Sequence, residues 1–344
     1  MTDLPASRIP DPYEAPPLRW GVLAPGGIAG RMAEALHRTR QRIVAVGSRS
    51  RERAETYASR YEVERTYDSY DALVADPDID IVYVASPHSA HHAHALLAIA
   101  AGKHLLVEKS FTRNASEAAE VAAAARAAKV VCVEAMWPRF GPRFDIVRQV
   151  LAEGLLGEIV TVHADHNQPI AHVPRMQDPG LAGGALLDLG IYPVSFLSFV
   201  LGTPSRVAAL GTLTDRGVDE TISAVASGYA SAQGALASMT TSMGTRSAAT
   251  ATICGTEARL ELVGQMPFYR PGPVRVVRWD GTAAESPETG LCGTDALAYE
   301  AAHVAQLVAD GACQSPLMPL DETISIMGTM DEIRRQVGVI LPGE

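Results

Sequence analysis

Apolar residues in the first third of the chain fall into short, near-continuous blocks. Residues 20–24, 42–48, 79–86, 104–110 and 129–135 are rich in Val, Ile, Leu and Ala, as strands buried on both faces should be. Helical periodicity fills the gaps, directly after the glycines at 26–27 and again over 51–61, 90–102 and 115–128. Gly102 ends the third of these helices and Asn114 caps the fourth. Strict alternation of strand and helix predicts a doubly wound parallel sheet with right-handed crossovers. The rhythm changes near 137–142, where Pro138, Gly141 and Pro142 break the pattern. One helix follows, over 143–153. Longer alternating segments come next, at 159–166, 206–214, 221–227, 234–241 and 248–254, joined by Gly, Ser and Asp turns, which predicts a mainly antiparallel sheet. A helix over 186–201 interrupts this series and another over 320–337 closes it.

The expected fold class is therefore α/β, with an N-terminal Rossmann-type parallel sheet and a C-terminal α+β domain built on an open-faced, mainly antiparallel sheet. At 344 residues the chain has material for two domains. The expected divisions are a Pro-rich arm or tail at 1–17, a first domain at 18–138 and a second at 139–344. A net charge of −10 excludes a general nucleic-acid binder. Cys132, Cys254, Cys292 and Cys313 are scattered without metal spacing and read as reduced, buried thiols. No basic region precedes an apolar core at the start, and no apolar run of membrane-spanning length stands out, so the expected setting is the cytoplasm, without a membrane partner.

Four stretches carry candidate chemistry. After the first strand, Pro25, Gly26, Gly27, Ile28 and Ala29 form a glycine turn opening a helix, a shape whose backbone N–H groups suit a dinucleotide pyrophosphate. Gly26 and Ala29 fill the second and third slots of G-x-G-x-x-G/A, and Ala24 stands in the first, where it fits a negative φ. After the second strand come Ser48 and Arg49, with no acid before Glu52. A hydroxyl and a guanidinium suit a ribose 2′-phosphate, which favours NADP over NAD, with NAD as the alternative. Ser86, Pro87, His88 and His91 follow the third strand, where open α/β sheets bind ligands; capping histidines are the alternative, and no third ligand supports a metal at His88 and His92. Glu108 and Lys109 end the fourth strand, a place from which a lysine could serve a developing alkoxide or merely pair at the surface. Gly183 and Gly184 precede a helix on which Asp188 and Tyr192 are spaced i,i+4, either a proton relay or a packing pair. The loop 168–179, with His172 and Arg175, is the expected source of substrate contacts.

Taken in order and spacing, these motifs resemble the Gfo/Idh/MocA oxidoreductases, in which a glycine fingerprint precedes an E-K-P motif and a G-G-G-x-x-x-D-x-x-x-[HY] helix. The matching segments here are 24–29, Glu108-Lys109-Ser110 and 182–192, with Ser110 in place of the proline. The segments 134–140 and 182–196 are similar to the dihydrodiol dehydrogenase and NADP-dependent D-xylose dehydrogenase branch. The resemblance implies hydride transfer between a nicotinamide and a CH–OH or C=O carbon of a sugar, polyol or cyclic diol. It implies that Lys109 bonds the reacting hydroxyl and the cofactor ribose, that Tyr192 handles the proton, and that Asp188 orients Tyr192 or the substrate. Trp137 and Arg139 would line the nicotinamide end. A homodimer or larger homo-oligomer packed through the C-terminal sheet is also implied. An NAD-dependent glycosidase and a non-catalytic NADP-sensing regulator are the alternatives.

Overall fold

The computed structural model describes residues 4–262, 267–287 and 290–344. In chain order the elements are β1 (Arg19–Leu23), α1 (Gly27–Leu36), β2 (Arg42–Gly47), α2 (Arg51–Tyr61), β3 (Arg65–Tyr67), α3 (Tyr70–Val74), β4 (Ile81–Val84), α4 (His91–Ala100), β5 (His104–Glu108), α5 (Ala115–Ala128) and β6 (Cys132–Ala135). They continue with α6 (Pro142–Ala152), β7 (Ile159–Asn167), α7 (Ile191–Leu201), β8 (Arg206–Leu213), β9 (Asp219–Ser227), β10 (Leu236–Ser242), β11 (Ala251–Gly255), β12 (Ala258–Leu262), β13 (Arg275–Arg278), β14 (Ala283–Glu285), α8 (Leu297–Ala309) and α9 (Leu320–Val337).

Two compact units result. The six-strand unit comprises Pro10–Phe140 and Leu291–Ile324. Its sheet is parallel, in the order β3-β2-β1-β4-β5-β6, and the order reverses between β1 and β4. Open α/β sheets bind ligands at that switch, outside the carboxyl ends of the strands. The predicted apolar runs are its core: Trp20, Val22, Leu23 and residues 81–84 and 105–107 are fully buried or nearly so. Trp20 Nε1 donates to Gln41 Oε1 at 2.9 Å, which satisfies the one polar atom of that ring.

The eight-strand unit comprises the described residues up to Ile9, Gly141–Gly290 as far as described, and Ser325–Glu344. Its order is β14-β13-β12-β11-β7-β10-β9-β8, antiparallel except for the β7–β10 pair. Strand β9 alternates as expected, with Ile222, Ala224 and Ala226 inward and Ser223 and Val225 outward. On the inner face lie Val162, Met239 and, from α7, Phe196 and Leu197.

Several expectations need correction. Residues 291–324 belong to the six-strand unit rather than to a continuous second domain over 139–344. Helix α8 buries Ala298, Ala301, Val304 and Ala305 there, and a linear reading cannot see which unit a distant amphipathic helix joins. Strands β12–β14 extend the second sheet beyond the segments read from alternation. Of the stretch 1–17, residues 1–3 lie outside the described residues. The rest is an arm packed on its own chain rather than a loose tail: Arg8 N and Nη2 donate to the Asp145 carboxylate at 2.7 and 3.0 Å, and Ala15 is buried. Only Cys132 among the cysteines is buried; Cys292 and Cys313 are exposed. The helical stretch Pro179–Leu201 is, contrary to expectation, long and apolar enough to cross a membrane, but 78% of its apolar window is buried, as in a core helix.

Candidate active site

Strand β1 delivers the chain to the glycine turn. Ala24 N donates to the Gly47 carbonyl at 3.0 Å, and Ala24 itself adopts φ 67°, not the negative φ expected for a side-chain-bearing residue. Gly26 caps α1 with extended backbone and no side-chain cap, so the helix presents its first amides without a competing acceptor from the cap residue. A Cβ at Gly26 or Gly27 would meet nothing within 4 Å. Open space before an uncapped helix N-terminus fits a pyrophosphate. Ala29 is fully buried, but the closest packing falls on Gly30, where a Cβ would lie 2.5 Å from Tyr61 Oη. Pro25 and Ile28 flank the turn and are half-buried.

At the end of β2, Ser48 is buried and its Oγ accepts from Ser50 N at 3.2 Å, while Arg49 is exposed. At the end of β4, His94 Nδ1 lies 2.9 Å from Ser86 Oγ. Burial first, then the charges of His91 and Arg49, push the His94 pKa down to about 4. Arg49 is thus close enough to the β4 loop for its charge to be felt there. Pro87 is exposed and His88 buried. His91, expected in the crevice, is fully buried, with ring nitrogens 2.8 Å from the Ser110 carbonyl and 2.7 Å from the Ser86 carbonyl. It ties together the loops after β4 and β5 instead of lining them. Among the described residues no His, Cys, Asp and Glu group has the makings of a metal site.

Lys109 follows β5 and is half-buried. The Lys109–Ser110 peptide is cis. Behind it, the Glu108 carboxylate accepts from Tyr83 Oη and, at 3.2 Å, from Lys109 N. Glu300, fully buried on α8, has its pKa raised by burial and then by the charge of Glu108. Two residues on from Lys109, Phe111 N donates to Glu134 Oε1 at 3.2 Å, and Thr323 Oγ1 donates to Glu134 Oε2 at 3.1 Å. Trp137 is half-buried. Arg139, expected at the nicotinamide end, is only 1% exposed and pairs with Glu322 at 2.6 Å, so its charge is engaged inside the unit.

In the eight-strand unit, Asp188 lies on a π turn, Leu186–Gly190, that runs into α7, so the α-helical spacing read for Asp188 and Tyr192 is locally widened. Asp188 is buried and accepts a bidentate pair from Arg175, Nη1 to Oδ1 at 3.1 Å and Nη2 to Oδ2 at 3.2 Å. His172 is exposed. The Tyr192 ring packs 4.7 Å from Tyr269 and 5.1 Å from His166. His166 Nδ1 faces the Leu189 carbonyl at 3.1 Å, which can only accept, so Nδ1 carries the proton and Nε2 accepts from Gln168 Nε2 at 2.8 Å. Gln168 Nε2 also donates to Tyr269 Oη at 3.0 Å. His166 and Tyr269 escaped the sequence reading. The polar clump Asp165-His166-Asn167-Gln168 ending an alternating strand was the available signal for the first; nothing local marks the second.

Comparison with known proteins identifies the family. Residues 18–136 match the GFO/IDH/MocA oxidoreductase family model with an NAD-binding Rossmann fold, and 144–261 match the GFO/IDH/MocA C-terminal domain. Trans-1,2-dihydrobenzene-1,2-diol dehydrogenase from Macaca fuscata fuscata is 34% identical over 333 residues, covering 94% of this chain and 98% of the relative. A 3-ketoreductase from Actinomadura kijaniata, solved with NADP and TDP-benzene, is 27% identical with a TM-score of 0.81, over 94% of this chain and 98% of that one. A levoglucosan dehydrogenase solved with NADH and levoglucosan has a TM-score of 0.84 at 19% identity, over 94% and 98% of the two chains, which shows the shared fold.

Proposed function

The chain belongs to the GFO/IDH/MocA oxidoreductases and is a dehydrogenase or reductase with an NAD-binding Rossmann domain; from that premise we propose that it uses NADP(H) to interconvert CH–OH and C=O at a carbon of a cyclic diol, polyol or sugar. The cofactor choice rests on one observation: Ser48 and the exposed Arg49 occupy the turn after β2, and no acid precedes Glu52. The substrate class rests on the dihydrodiol dehydrogenase relatives.

When bound, the cofactor donates or accepts the hydride. The glycine turn and the first amides of α1 would hold its pyrophosphate. Oxidation of an alcohol also releases a proton from oxygen, which Tyr192 Oη takes up, and reduction reverses this. The Lys109 ammonium stabilises the charge developing on that oxygen. Arg175 holds Asp188, and His166, Gln168 and Tyr269 fix the ring face of Tyr192. Leu210, Val225 and Leu236, exposed by 83, 54 and 56% on β8–β10, support pairing of copies through the open sheet face.

The test is a fluorescence titration with NADPH and NADH, followed by turnover of trans-1,2-dihydrobenzene-1,2-diol and D-xylose. NADPH-selective binding with turnover is the expected result. A preference for NADH overturns the Arg49 assignment, and binding without turnover of any diol or sugar overturns the catalytic one. Light scattering reads the oligomer, and a monomer at micromolar concentration removes the sheet-face pairing.

A further inference from the structure

Asp219 is the first residue of β9 and is 2% exposed. Its Oδ2 accepts from Leu186 N at 2.6 Å, and the Ala185 amide and its own amide also bond to the carboxylate. Leu186 opens the helical run that carries Asp188 and Tyr192. Ala185, at the cap position, has no side chain able to accept those amides. A residue 33 positions further along the chain therefore does the capping.

The glycine pair before the run explains how the carboxylate gets that close. Gly184 has φ 114°, and a Cβ there would collide with Asp219 Oδ1. A Cβ at Gly183 would lie 2.5 Å from the Arg175 carbonyl and 2.7 Å from that of Met176. Gly184 N donates to the Met176 carbonyl at 3.0 Å. Asp219, the two glycines and the segment bearing Arg175 are thus pressed into one stack, and the Arg175 guanidinium reaches from that stack to Asp188. Burial pushes the Asp219 carboxyl up to about 6, while its amide donors and Arg334 pull it down.

We propose that Asp219 is a positioning residue: it fixes the start of the Asp188–Tyr192 helix against β9 and, through the glycine pair, against Arg175. The functional half of this proposal rests on the role given to Tyr192 above. Small misplacements of reacting groups are costly, on the order of a hundredfold in rate for 1 Å. Asp219→Asn keeps the volume and one acceptor but turns an NH2 group toward main-chain amides.

The experiment compares wild type, Asp219→Asn, Tyr192→Phe and the double variant. Amide hydrogen exchange should quicken over residues 184–192 in Asp219→Asn, with NADPH affinity unchanged. With trans-1,2-dihydrobenzene-1,2-diol as the probe, kcat should fall about tenfold or more with KM within about threefold. In the Tyr192→Phe background the same change should cost little further rate, because it acts through Tyr192. A merely structural cap would lower rate equally in both backgrounds, and that outcome overturns the proposal. Unchanged exchange over 184–192 overturns it whether or not the protein turns the diol over. If the wild type has no turnover, the functional reading falls while the exchange result still decides the role of Asp219 in holding the helix. If Asp219→Asn does not fold, Asp219→Glu provides the second variant, and native exchange and rate in it would overturn the proposal as well.

Discussion

Lys109 stands at the end of a parallel strand in one unit, and Tyr192 stands just past a π turn in the other. The lysine is held largely by neighbours that the sheet itself supplies, with His91 added from the start of α4. Glu108 precedes it in the chain, Glu134 on the adjacent strand receives the Phe111 amide, and His91 meets the Ser110 carbonyl. The tyrosine is held by residues with no ladder connection to its helix: Asp219 at the helix start, Arg175 at Asp188, and His166 with Tyr269 against the ring. A strand end inherits its position from main-chain pairing. This helix start is pinned by side chains instead, and each pin needs space cleared for it, which is why Gly183 and Gly184 stand where they do.

Removing the two heads gives the largest effects and separates their roles. Tyr192→Phe keeps the ring packing and removes the proton carrier, so kcat should fall on the order of 10²–10⁴-fold with native unfolding behaviour. Lys109→Ala should lose about 10²–10³-fold by removing a donor to the developing charge. Turnover within threefold of wild type in either variant would end the role assigned to that residue.

A second, smaller effect belongs to the support of the lysine loop. Glu134 is fully buried, and burial pushes its pKa up to about 7; Glu322 adds to the rise, while the Thr323 and Phe111 bonds and Arg139 oppose it. The unfolded chain loses this proton near 4.5 and the folded chain keeps it until about 7. The stabilising contribution is therefore complete below about 4.5 and lost as pH rises through about 7, a total of up to about 3 kcal/mol. Glu134→Gln keeps the acceptor for Phe111 N and cannot titrate. Urea midpoints at pH 5 and 7.5 should differ less in the variant than in wild type; equal differences would mean that Glu134 is already ionised at pH 5. No counterpart is expected from replacing Gln168, which bonds His166 and Tyr269 in the other unit and has no charge to lose.

The same contrast decides what could be read in advance. Five of the six strands of the parallel sheet, the glycine turn and the Glu108-Lys109 strand end are local patterns, and buried apolar runs with breakers announce them; the three-residue edge strand β3 is too short and too polar to do so. Spacing places His91 at the crevice, but spacing says where a residue sits and not which carbonyl groups its ring will find. Asp219 and Tyr269 meet Leu186 and Tyr192 only after the second sheet has formed, so nothing in their own neighbourhoods marks them. Helix α8 was likewise invisible as part of the first unit, since its apolar face fits any unit that offers a complementary one.

The smallest effect tests whether backbone cost is distributed as side-chain support is. Both site segments contain an alanine in the left-handed region, Ala24 at φ 67° before the glycine turn and Ala182 at φ 54° before the glycine pair. A Cβ there costs on the order of 1–2 kcal/mol, part of which glycine gives back through its freer unfolded chain. The two methyl groups differ in surroundings: Ala24 is half-exposed and Ala182 only 1% exposed. Ala24→Gly should therefore raise stability by about 0.5–1 kcal/mol, since nothing packed is lost. Ala182→Gly gains the same backbone relief but forfeits a buried methyl worth about 0.8 kcal/mol, so its urea midpoint should barely move. Ala24→Gly also puts glycine in the first fingerprint slot, and NADPH affinity should hold or tighten. If Ala24→Gly destabilised the protein, the turn would not be carrying the cost its φ implies. If both variants gained equally, the Ala182 methyl would not be packed as placed, and the stack beneath the Tyr192 helix would be looser than its burial implies.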